Sequence, residues 1–82
     1  MPHTQAEPSD KTARKRDFAR RCHVGAIALR VAAERLEILS REPARIDTAH
    51  AGLTIDAMSC AAQSCQELIP ELLDADIERR TR

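Results

Sequence analysis

The sequence predicts an all-α protein: an antiparallel helical hairpin with a kinked or broken C-terminal helix, pairing with a second copy into a four-helix bundle. Three observations carry that expectation. The 82 residues include one Phe, no Trp or Tyr and two Gly, in a background rich in Ala, Leu, Glu and Arg; these are the residues that cost least in a helix. Apolar residues recur with helical spacing in two long blocks. One short break containing Pro43 separates the blocks, and a connection that short joins antiparallel neighbours.

Residues 1–9 hold Pro2 and Pro8 without periodicity and read as a flexible N-terminal tail. Residues 10–82 then form a single hairpin domain, since a chain of this length supports one core at most. Ser9 or Asp10 is the expected N-cap of the first helix, which runs to about Arg41 with Gly25 as its only weak point. Along it Phe18, Cys22, Gly25, Leu29, Ala32, Leu36 and Leu39 alternate four- and three-residue steps, the spacing of a heptad seam. Val24, Ile27, Val31 and Ile38 form a second stripe more than a quarter-turn away, so this helix faces two partners rather than one. These four are the expected protein-interaction residues.

Pro43 disfavours helix at Glu42. Asp47 is the expected N-cap of the second helix, with Ile46 placed to pack on Ala51 as a hydrophobic staple. The second seam is Ala51, Ile55, Met58, Ala62, Cys65, Ile69 and Leu72. Pro70 removes a helical hydrogen bond, which predicts a kink or a fresh start before a last segment ending near Arg79. With the turn centred near Ala44, residue i faces roughly residue 88 minus i. That register sets Phe18 near Ile69 or Leu72, Leu29 near Met58 or Ala62, and the basic N-terminal stretch beside the acidic C-terminal one.

The composition excludes several function classes. Thirteen Lys and Arg balance thirteen Asp and Glu, so no global basic excess marks a nucleic-acid binder. The longest strictly apolar run is Ala26 to Leu29, too short to span a membrane. No apolar leader precedes the first helix, and three Cys at irregular spacing fit a reducing cytoplasm better than a disulfide framework. Cys60 and Cys65 are five residues apart and point away from each other. Cys22 and Cys65 share the seam and are the one candidate thiol pair, with a small buried core residue as the simpler role. They do not make a zinc site, which needs about four ligands. His3, His23 and His50 are scattered, with no nucleophile at triad spacing. Neither cofactor nor metal is expected, and the chain does not read as an enzyme.

Two functions lead, with a thiol- or metal-responsive switch at Cys22 and Cys65 as a weaker third. The surplus of apolar stripes points to a protein–protein interaction module of regulator, adaptor or inhibitor type, of bacterial or phage style, acting on itself as a homodimer, on another protein, or both. The alternative is a nucleic-acid-binding hairpin in which Lys11, Arg14, Lys15, Arg16, Arg20 and Arg21 grip phosphates. Against it, no aromatic residues are interleaved for base stacking.

Overall fold

The computed structural model describes residues 10–81; the expected tail at 1–9 lies outside them. The described chain is a hairpin of two 32-residue helices, α1 (Asp10–Arg41) and α2 (Ala49–Arg80), joined by a 3-10 turn, Pro43–Asp47.

Helix α1 has the expected bounds. Asp10 in its first turn and Arg41 in its last suit the helix dipole. Glu37 and Arg41 pair across one turn at 3.1 Å. At Glu42 the backbone leaves the helical region, φ −134° and ψ 72°, because helix is disfavoured at a residue before proline. The Glu42 N–H still donates to the Ile38 carbonyl, closing the last turn.

The second helix starts later than the sequence suggests. Asp47 remains inside the 3-10 turn, and Thr48 is the cap instead: its hydroxyl accepts the His50 N–H at 3.2 Å. The reason is local. The Thr48 N–H donates to the Arg45 carbonyl, which extends the tight turn through Asp47 and makes Thr48 the first extended residue. Ile46 is 60% exposed, so the staple onto Ala51 supplies little burial. Beyond the cap, α2 runs as one helix through Pro70, with no fresh start. Pro70 sits on the exposed side. There its fixed φ is helical, and the carbonyl it leaves without a donor can be hydrated.

The two helices meet along a stripe of small residues. The buried positions are Gly25 and Ala32 on α1 and Thr54 and Ala61 on α2. A Cβ placed on Gly25 would lie 3.5 Å from a Leu68 methyl and 3.8 Å from the Ser64 Cβ. Arg21 reaches across to Glu71. Contacting pairs therefore have residue numbers totalling 89 to 93, a little beyond the expected 88. Thr54 hides its hydroxyl by donating to the His50 carbonyl at 2.6 Å, so this buried polar side chain is satisfied inside its own helix.

This stripe corrects the expected seams. Phe18, Cys22, Gly25, Ala32 and Leu39 do turn toward α2, but Leu29 is 51% and Leu36 46% exposed. On α2 the contact line has moved one residue back, to Thr54, Ala57, Ala61, Ser64 and Leu68. Ile55, Met58, Ile69 and Leu72 are left half-exposed. Two helices alone gain most by close backbone approach, which small side chains permit and Leu or Ile prevents.

Candidate protein-interaction surface

A hairpin is a single layer of helices, 15 Å in its thinnest dimension, and so has two broad faces. Each carries a shallow groove where the large side chains rise on either side of the small-residue contact line.

The first groove, about 240 Å³, has Ala32 and Ala61 as its floor and Leu29, Leu36, Met58, Ala62 and Cys65 as its walls. Residues seven apart lie on the same side of a packed helix. This face therefore extends from Leu29 to Cys22, from Cys65 to Leu72, and from Ala62 to Ile55 and Ile69. Ala19, Ala26 and Ala33, three residues before Cys22, Leu29 and Leu36, form its outer edge on α1. From Ala19 to Leu36 and from Ala51 to Leu72, the charged residue bordering this side is Arg30, exposed beyond Ala26 and Ala33.

The opposite groove, about 350 Å³, is lined by Ala28, Val31, Leu53, Ala57 and Cys60 together with Arg35 and Asp56. The expected interaction stripe runs along this side: Val24, Ile27 and Val31 are exposed and Ile38 half-buried. Charge interrupts it. Besides Arg35 and Asp56, Arg21 lies seven residues before Ala28 and forms a bridge to Asp17 at 2.9 Å as well as to Glu71.

At the open end of the hairpin a third groove, about 370 Å³, has Phe18, Leu72 and Ala75 as its apolar wall and Lys11, Arg14, Lys15 and Glu71 at its rim. Three of the six expected phosphate-contacting residues thus share one rim. Arg16 is exposed. Arg20 and Arg21 are engaged within the chain: both donate to the Asp17 carboxylate, at 3.0 and 2.9 Å. Arg21 also lies over the Phe18 ring, 5.7 Å from its centroid. The Arg20 and Arg21 hydrogen bonds hold the Asp17 carboxyl below the usual aspartate value of 3.8. The hydrogen bond to Glu71, ahead of the one to Asp17, raises the Arg21 guanidinium further above its ordinary value.

The remaining candidates are not assembled into chemistry. Cys22 and Cys65 are half-buried, Cys60 is exposed, and all three are free thiols. His23 is exposed, and His3 lies outside the described residues. His50 Nε2 is 2.9 Å from an Arg45 guanidinium nitrogen. A guanidinium only donates, so Nε2 accepts and the ring proton belongs on Nδ1, which is buried without a partner. Among the described residues no three His, Cys, Asp or Glu side chains converge as a metal site. Likewise no described helix is long and apolar enough to cross a membrane.

Sequence periodicity found the residues of the uncharged face but assigned them to the contact within the hairpin. The signal that separates the roles is the size pattern: Gly and Ala at one set of seven-residue positions, Leu, Met and Ile at the set beside it. Comparison with protein-family models, with curated proteins and with solved structures finds no match to this chain.

Proposed function

We propose that this chain is a small helical protein–protein interaction module, of regulator, adaptor or inhibitor type, that acts through an apolar helix face and pairs with itself into a four-helix bundle. The observation that carries this reading is what the hairpin buries. Among the described residues the buried apolar side chains are Ala32 and Ala61, at 7% and 4% exposure, while thirteen large apolar residues stay at least 42% exposed. Domains are stable when two layers enclose one core, and one layer of two helices lacks the second. Fully burying each such side chain is worth about 1.5–3 kcal/mol, a large gain for a chain with so slight an interior. Sedimentation equilibrium over a hundredfold concentration range tests it. A mass twice the 9.1 kDa of the chain is expected. A folded monomer throughout would remove self-association and leave only a different protein as the cover.

The Val24, Ile27, Val31 and Ile38 stripe remains available to a partner of either kind. Replacing Val31 and Ile38 with Glu separates them: loss of the dimer assigns the stripe to self-association, and an intact dimer reserves it for another protein.

One observation favours a second reading, nucleic-acid binding: Lys11, Arg14 and Lys15 border a common groove. Phosphate contacts of that kind give salt-dependent retardation of RNA or DNA in a mobility-shift assay. Replacing all three with Gln should abolish it. Absence of retardation at low salt removes this reading.

A further inference from the structure

We infer that the uncharged face, rather than the Val24 stripe, is where two copies of this chain meet, with α1 of one protomer lying on α2 of its partner. The inference rests on the interaction-module reading above and specifies the surface and its occupant.

What the hairpin leaves open argues for a partner: thirteen large apolar residues stay at least 42% exposed, and a single layer of two helices has no second layer to cover them. Charge selects the face. The Val31 side would bury Arg35, Asp56 and the Asp17–Arg21–Glu71 cluster against a like surface, which carries a desolvation penalty. The Leu29 side lines its groove with no charged residue, and Arg30 at its outer edge can keep its head in water.

Shape and end charges select the arrangement. The outer edge of this face is low on α1, where Ala19, Ala26 and Ala33 lie. It is high on α2, where Ile55 and Ile69 flank Ala62. Setting α1 on the partner's α1 would place alanine against alanine and isoleucine against isoleucine, leaving a void on one side and overcrowding on the other. Setting α1 on the partner's α2 fits the low edge to the high one. The two-fold axis then runs parallel to the helices, and both open ends lie at the same end of the bundle. There the basic start of α1 lies beside the partner's α2 between Glu71 and Glu78, where four carboxylates precede Arg79 and Arg80, a complementary pairing.

Two measurements test this. Wild type and Val31→Glu should sediment as dimers, whereas Leu29→Glu and Met58→Glu should raise the dimer dissociation constant by about 100-fold or more, because each buries an unpaired charge. If those variants unfold, cross-linking decides the matter in a folded background. Chains carrying Cys22→Ala, Cys60→Ser and Cys65→Ala each receive one new thiol, Ala26→Cys in one and Ala62→Cys in the other. Mixed and mildly oxidised, they should give a covalent dimer of the two different chains, since facing small residues at these positions bring the Cα atoms within the ~7 Å a disulfide needs. Covalent dimers of the Ala26→Cys chain alone would place α1 on α1 and overturn the arrangement while leaving self-association standing. A dimer lost in Val31→Glu but kept in Leu29→Glu would overturn the choice of face and leave the module reading intact. A wild-type monomer would overturn both.

Discussion

Gly25 lies in the middle of α1 at the point where the helices are closest, yet its lack of a side chain is not required there. Its backbone has no positive φ, and an added Cβ would find ordinary van der Waals contacts with Leu68 and Ser64. Gly25→Ala should therefore stabilise the fold by up to about 1 kcal/mol through helix propensity alone, raising the melting temperature by about 4–8 °C. Gly52, with open space around it, should respond in the same direction. A lower melting temperature for Gly25→Ala would mean that the helices approach more tightly than these distances indicate. Asp17 gives a prediction in pH. Hydrogen bonds from Arg20 and then Arg21 lower its folded-state pKa. Its contribution is thus fully present above the ordinary value of 3.8 and is lost as pH falls through the lower folded value. An NMR titration of the Asp17 side chain should show a midpoint below 3.8. Asp17→Asn should remove that part of the acid dependence of α1 helicity, with a small effect at neutral pH because the group is exposed.

At the scale of the element, Pro70 and the small-residue stripe make opposite demands. Pro70 is exposed inside a helix that continues past it. It carries the cost of a missing hydrogen bond and no burial in return within the hairpin. Pro70→Ala should stabilise α2 by about 1–3 kcal/mol, read as a higher denaturant midpoint with unchanged slope. No gain would indicate that a bend there serves contacts outside the hairpin. Ala61 is the reverse case, 4% exposed at the line of closest approach. Ala61→Leu adds bulk with no space to receive it, so a loss of about 1–3 kcal/mol is expected. Ala62→Leu, next in sequence but on the open face, should leave the hairpin intact.

For the whole molecule, stability and association are one equilibrium. The interhelix ion pair, Arg21 with Glu71, is surface-exposed, and the other bridges join residues three or four apart within one element or across its edge. Such exposed pairs are screened by solvent and add little to stability. The melting temperature should therefore rise with protein concentration, as it does when the folded state binds a partner that the unfolded state does not. Circular dichroism melts at concentrations a hundredfold apart check this. A concentration-independent melt would mean that the hairpin stands alone on its small interior.

The sequence by itself determined the helices. The bounds of α1, the break at Pro43 and the antiparallel return follow from propensity, proline stereochemistry and loop length, which act over a few residues and need no knowledge of the rest of the chain. It misplaced the second cap because a 3-10 turn can extend by one more hydrogen bond, and Asp47 and Thr48 are both good caps. Tertiary structure alone decided which apolar stripe each helix turns inward. Seven-residue spacing identifies a side of a helix but leaves the rotation about its axis free by the width of the apolar arc, and here that arc spans two neighbouring lines of residues. Close approach selected the line containing Gly25, Ala32, Thr54 and Ala61, since contact between two helices strengthens as their backbones near. That choice turned Leu29, Leu36, Met58 and Ile69 outward, and so opened a second apolar face opposite the Val24 stripe.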